Sequence, residues 1–396
     1  MSTDPNNAWR TQTPGCDGWP RTARPSDPDK HLMISADCHA NEPPGLWHAR
    51  IDRKFVDRLP ALHGRGHVDN EIEGFRPVTR KIEFTGEDLE RNRTARSIED
   101  RLRDHERDGI DAEIIFPNKG LAMFAAQDQE FVQAQCRAYN DWAWETFGPY
   151  NDRLSPMAFV ATADIPRAVE EIQRGAKLGF RGLSFPCKPI WGGHDVAHLN
   201  YNLPACDPLW ASIQDCDLPF TFHVSTGRDP RVSRGNGGAV INYAVHSLAP
   251  TMEPIANLCG SGVLERFPGL RFASIEAGIG WIPWALQAMD EAYQKHHMFV
   301  RPKLKQLPSE YFKQHGFASF QEDPAGLDLA REHDLVDCFM WANDYPHHEG
   351  TWPHSAAAIE RTMARFDETE RAKLLGLNAA RLFKFEISAR ERHYLN

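Results

Sequence analysis

Asp37 and His39 stand two residues apart early in the chain. His223 closes the apolar run Leu218–His223, and Asp344 follows a second run that stops at Asn343-Asp344-Tyr345-Pro346. Carboxylates and imidazoles together hold Zn2+, Mn2+ or Fe2+ and also exchange protons near neutral pH. Side chains two apart on a strand point the same way, so Asp37 and His39 share a face and Cys38 turns from it. Glu276, just past the run Leu270–Ile275, could orient a ligand or shuttle a proton. Each residue also has an ordinary reading: Asp37 as a helix cap, Asp344 as the cap of the helix after it, the histidines as satisfied core residues. The fold decides between the readings by bringing the side chains together or leaving them apart.

The elements that must position them alternate. Apolar runs at His31–His39, Ala112–Phe116, Met157–Val160, Gly182–Phe185, Leu218–His223, Leu270–Ile275, Phe317–Phe320 and Val336–Trp341 read as buried strands. Helical stretches fall between them, among them Arg96–Asp108 stopped by Gly109, Gln129–Phe147, and a helix begun by Asp164 and Pro166 and ended by Gly179. Residues 240–264 read as helix with a break near Pro250. Strands alternating with helices imply a parallel sheet, and close to eight such units imply an α/β fold of the (β/α)8 TIM-barrel type. No GxGxxG follows the first strand, which weighs against a nucleotide-binding sheet. Residues 1–30, rich in Pro, Asp, Asn and Thr, read as an extended N-terminal arm, disordered or laid over a neighbouring subunit. The barrel spans 31–390, with an insertion after strand one at about 63–97, in which Lys81–Phe84 suggests a hairpin.

In a closed barrel strand eight neighbours strand one, so Asp344 can meet Asp37 and His39 across the seam while His223 on strand five faces them. Around this set, Arg228 follows the His223 strand and is placed to clamp a substrate carboxylate. His347 and His348 follow the Asp344 turn, and Asn118 and Lys119 end strand two. These are candidate substrate contacts, with solvated or salt-bridged roles as the alternatives. Of the 396 residues 41% are hydrophobic and 25% charged, enough to fill a large core. A net charge of −10 argues against nucleic acid or an anionic membrane as partner. No apolar run reaches the roughly 20 residues that span a bilayer. The polar N-terminus lacks a signal-peptide core, and eight scattered cysteines without CxxC read as reduced thiols of a cytoplasmic protein.

The phrases ISADCHANEP, RDGIDAEIIFPNKG, AYNDWAWETF, LPFTFHVSTG, LERFPGLRFASIEAGIGWIPW and ANDYPHHEGTWPHS carry a resemblance to the amidohydrolase superfamily. The branch they resemble includes aminocarboxymuconate semialdehyde decarboxylase and gamma-resorcylate decarboxylase. The resemblance covers roughly residues 33–355. It implies one divalent ion, Zn2+ before Mn2+ or Fe2+, held by Asp37, His39, His223 and Asp344. It implies a homodimer or higher homo-oligomer acting on a small molecule. Two positions depart from the better-known relatives. Strand one carries Asp-x-His in place of His-x-His or Glu-x-His, and strand six ends in Glu276 where those relatives carry a catalytic histidine. His246, shortly before strand six, is a substitute for that histidine. The strand-four lysine that bridges two metals is missing, since Lys188 lies beyond Pro186, so one ion is expected.

The implied activity is metal-dependent, non-oxidative decarboxylation of a small planar carboxylic acid, with Asp344 as proton donor. The alternative on the same site is hydrolysis of an amide, ester or lactone by a metal-activated water. A barrel that only binds a ligand is the alternative from another class.

Overall fold

A computed structural model describes residues 5–59, 85–93, 97–190, 200–226 and 236–395. The expected hairpin at 81–84 and the loop carrying Arg228 lie outside these residues. Of the 63–97 insertion, the helix Gly86–Arg93 is described.

Nine strand segments follow one another: β1 (Ile34–Ala40), β2 (Ala112–Pro117), β3 (Leu154–Pro156), β4 (Ala158–Phe159), β5 (Leu183–Phe185), β6 (Phe220–His223), β7 (Phe272–Ile275), β8 (Gly316–Phe320) and β9 (Phe339–Trp341). They form two parallel arcs, β1-β2-β3 and β4 through β9 in chain order. Only Met157 separates β3 from β4. Its N–H donates to Ile115 O at 2.9 Å, so one bent strand pairs first with β2 and then with β5. Counted so, there are eight strands. The other seam joins β1 to the residues just past β9. A parallel bridge links Cys38 with Tyr345, His39 N–H donates to Tyr345 O at 2.7 Å, and Asp344 N–H donates to Asp37 O at 3.1 Å. Helices run between the strands, as a (β/α)8 barrel requires.

The local signals that start and stop these elements are visible in the sequence. Ser97 Oγ accepts from Asp100 N at the start of Ile98–Asp108, and Gly109 ends that helix with φ 82°. Asp164 caps Ile165–Leu178, and Gly179 closes it at φ 107° with no room for a side chain beside Trp144. The stretch expected as one broken helix at 240–264 divides into Gly238–Ile241, a wide turn Asn242–Ser247, a tight turn at Ala249–Thr251, and Met252–Gly260. Proline at 250 cannot donate the backbone bond that a continuous helix needs. The last strand is shorter than expected, because Val336–Cys338 form a 3-10 turn before it. No helix among the described residues is long and apolar enough to cross a membrane, and all eight cysteines are free.

Residues 5–30 lie along the barrel of their own chain. Arg10 donates to Gly350 O at 2.6 Å and to His348 O at 2.9 Å. Arg24 pairs with Glu360, and Arg21 with Glu391.

Candidate metal centre

The site forms where the C-terminal ends of β1, β6, β7 and β9 open. In β1 the register against β2 shifts between Ser35 and Cys38. Such an irregularity re-aims the side chains beside it. Cys38 Sγ turns to Ser35 Oγ and to Asn343 Oδ1, each at 3.2 Å. Asp37 and His39 turn the other way, toward His223 on β6.

Each of the two histidines is fixed by a backbone carbonyl. His39 Nδ1 lies 2.9 Å from Pro117 O, and His223 Nδ1 lies 2.8 Å from Val224 O. A carbonyl only accepts, so each Nδ1 carries a proton, and a ring in its neutral form presents an Nε2 lone pair. These lone pairs face carboxylate oxygens. His39 Nε2 is 3.3 Å from Asp344 Oδ1, 3.6 Å from Asp37 Oδ1 and 3.7 Å from Glu276 Oε2. His223 Nε2 is 3.2 Å from Asp37 Oδ1 and 3.4 Å from Glu276 Oε2.

A buried cluster of acceptors facing acceptors is unfavourable unless positive charge enters it. Among the described residues no lysine or arginine comes within 4 Å of Asp37, Glu276 or Asp344. Asp37 Oδ2, His39 Nε2 and Asp344 Oδ2 are buried with no hydrogen-bond partner. One ligand atom from each of Asp37, His39, His223 and Glu276 falls within 4.8 Å of all the others. That span suits an ion with bonds of about 2.0–2.4 Å, whose opposite ligands lie about 4–4.8 Å apart. The donor set therefore fits a divalent cation.

His347 joins the cluster from the turn after β9. Its ring stacks on His39 with centroids 3.9 Å apart, and its Nδ1 lies 2.9 Å from Asp344 Oδ1. Burial opposes charge on all these groups. Burial and the neighbouring Asp344 charge hold the Glu276 carboxyl above its ordinary range. At Asp344 burial is outweighed by His347 and His39, which hold its carboxyl well below that range. Burial disfavours a charged His347, yet Asp344 raises it above an ordinary histidine. Phe116, 4.7 Å from the His223 ring, gives the cluster one apolar wall.

Both carboxylates at the strand ends hold unusual backbone conformations. Glu276 has φ 60° and Asp344 φ 54°. Left-handed backbone is uncommon for residues other than glycine, and it concentrates at functional sites. Asp344 does not cap the following helix, Ser355–Met363, which begins after His354.

Of the residues singled out from sequence, Asp37, His39, His223, Glu276, Asp344 and His347 converge. Asn118 stands half-buried one residue past Pro117, outside the group. His246 is buried in Asn242–Ser247 and is not among the converging ligand atoms. Arg228 lies outside the described residues. Sequence reasoning missed the support behind His39. Arg101, fully buried, donates to His39 O at 2.8 Å and pairs with Glu113, which also meets His105 Nε2 at 2.9 Å. The signal was the glutamate inside the apolar run AEIIF, since a carboxylate in a buried strand requires a buried cation.

The Amidohydrolase family profile matches residues 36–385. A gamma-resorcylate decarboxylase from Rhodococcus jostii is 27% identical over 288 residues, covering 67% of this chain and 81% of that protein. Among solved structures, an amidohydrolase from Mycobacterium avium subsp. paratuberculosis superposes with a TM-score of 0.71 at 19% identity, over 91% of this chain and 99% of that one. A dihydroxybenzoic acid decarboxylase from Polaromonas, solved with manganese and the inhibitor 2-nitroresorcinol, superposes with a TM-score of 0.61 at 19% identity, over 90% and 98%. At these identities the structural likeness speaks for the fold.

Proposed function

This chain belongs to the amidohydrolase family, and on that premise we propose that it is a metal-dependent, non-oxidative decarboxylase of a small, planar, hydroxylated aromatic acid. The observation that carries the reading is the convergence of two imidazole Nε2 atoms and three carboxylates with no lysine or arginine within 4 Å among the described residues. The choice of decarboxylation is supported by the 27% identical gamma-resorcylate decarboxylase. Asp37, His39 and His223 are the core of the metal-holding set, with Asp344 beside them. Two carboxylates stand there with two imidazoles, a mixed oxygen and nitrogen set that suits manganese as well as zinc. The solved relative with bound manganese is consistent with that.

When bound, a divalent ion supplies positive charge that draws in the substrate carboxylate and an adjacent hydroxyl. The protein's own groups do the rest. Pro117 O and Val224 O keep the two imidazoles in register. Phe116 offers a flat apolar contact for an aromatic ring. Asp344, ionised at rest, takes a proton from His347 Nδ1 and delivers it to the ring carbon that bears the carboxylate. The bond from that carbon to the carboxylate then breaks, its electron pair restores the aromatic ring, and CO2 leaves. His347 Nδ1, 2.9 Å from Asp344 Oδ1, is placed to return the proton.

We place the enzyme in a reducing cytoplasm on the strength of its eight free cysteines. We also take it to be a homo-oligomer, because Val240, Ile241, Tyr243, Val245, Trp284 and Phe299 are exposed apolar side chains.

A panel of ortho-hydroxybenzoates, followed for CO2 and the phenolic product before and after chelation and Mn2+ return, tests the reading. Release of CO2 that stops on chelation and resumes with Mn2+ is expected. Cleavage of a model amide or lactone with no CO2 from any acid would overturn it.

A further inference from the structure

Three carboxylates crowd a site whose reading above needs one divalent ion, and their geometries differ. We propose that Glu276 is the ligand that completes the set begun by Asp37, His39 and His223, leaving Asp344 to its own partner, His347. The inference rests on the functional reading above.

Geometry, backbone and charge carry it together. Ligand atoms of Asp37, His39, His223 and Glu276 all lie within 4.8 Å of one another, whereas Asp344 shares that span only with His39, Glu276 and His347. Glu276 Oε2 sits 3.4 Å and 3.7 Å from two Nε2 atoms. With their Nδ1 protons on backbone carbonyls, both neutral rings can turn an Nε2 lone pair to a cation. Two imidazole nitrogens and a carboxylate oxygen at those separations suit a shared cation between them.

The turn after β7 is built to aim this side chain inward. Glu276 N–H donates to Ser319 Oγ at 2.9 Å. Ile279 N–H and Gly280 N–H both donate to Asp323 Oδ2 at 2.8 Å. Between these anchors Glu276 keeps its left-handed φ of 60°, a conformation that costs a glutamate stability unless the side chain's position repays it. Charge agrees with the assignment. The carboxylates of Asp37 and Glu276 balance a dication, while Asp344 already has the imidazole of His347 at 2.9 Å.

Equilibrium dialysis of the full-length, chelator-treated protein against Mn2+ alone, read by metal content and by the six-line EPR signal of free Mn2+, tests this. Wild type should bind about one Mn2+ per chain. Glu276→Gln, nearly the same shape, and Glu276→Ala should each weaken binding by at least about 30-fold, the scale on which metal sites respond to lost ligand support. Asp344→Asn should stay within about threefold of wild type by the same measure. Thermal melting of the metal-free variants establishes that each is folded. Binding by both Glu276 variants within threefold of wild type would overturn the assignment while leaving the functional reading standing. So would a greater loss in Asp344→Asn than in either. A wild type that takes up no Mn2+ would overturn both.

Discussion

Asp344 is held in left-handed backbone at the end of β9, between His39 and His347. That conformation costs an ordinary residue roughly 1–2 kcal/mol, but aspartate and asparagine tolerate it best. Asp344→Asn therefore keeps the turn and removes only the proton-carrying oxygen. Turnover is expected to fall by about 10²–10⁴, the usual worth of a positioned acid or base, while the melting temperature holds. Steady-state decarboxylation beside calorimetry checks this, and an active variant would dismiss Asp344 as proton donor.

Between elements, the helix Ile98–Asp108 supports β1 through β2. Arg101 and His105 are four residues apart on one helical face, and both reach Glu113. Arg101 also holds the His39 carbonyl and lies over the Tyr345 ring at 5.1 Å. Tyr345 in turn donates to Asp104 Oδ2 at 2.6 Å. One buried charge network thus ties together β1, β2 and the Asp344 turn. Burial alone would raise the Glu113 carboxyl, but Arg101 and His105 outweigh it and bring it to about 2. Its folded-state value therefore lies below its unfolded one. The stability it contributes is present above about pH 4.5 and is lost as pH falls through about 2, on the order of 3 kcal/mol in all. Glu113→Gln leaves Arg101 buried without its partner, at a cost of about 3–5 kcal/mol near neutral pH. The gap in melting temperature between wild type and Glu113→Gln should narrow as pH is lowered from 5 to 3. A gap that stays constant across that range would mean that the network carries no net charge linkage.

For the molecule as a whole, the N-terminal arm reaches the loop that follows Asp344. Arg10 holds the carbonyls of His348 and Gly350, four and six residues past Asp344. A Cβ added at Gly350 would come within 2.4 Å of Asn343 O, so this loop and the Asp344 turn are packed backbone against backbone. Arg10→Ala removes two charge-assisted hydrogen bonds, each worth roughly 1.5–3 kcal/mol net. Melting should fall by roughly 5 °C or more, with weaker Mn2+ binding alongside it. Differential scanning fluorimetry with a Mn2+ titration measures both. If neither moves, the arm only covers the barrel and does not brace its mouth.

Local patterning carried much of this protein. Apolar runs, caps such as Ser97 and Asp164, and stops such as Gly109 and Gly179 marked where elements begin and end, because those preferences act over a few residues. The two-residue spacing of Asp37 and His39 and the strand-end places of His223, Glu276 and Asp344 mark the polar cluster in the sequence itself. Tertiary structure alone decided the rest. It stacked His347 on His39, left His246 and Asn118 outside the cluster, set Arg101 under the His39 carbonyl and laid the arm across its own barrel. Distances between side chains of remote segments depend on barrel closure at Asp344–Tyr345 and on the bend at Met157, and no short stretch of sequence encodes either.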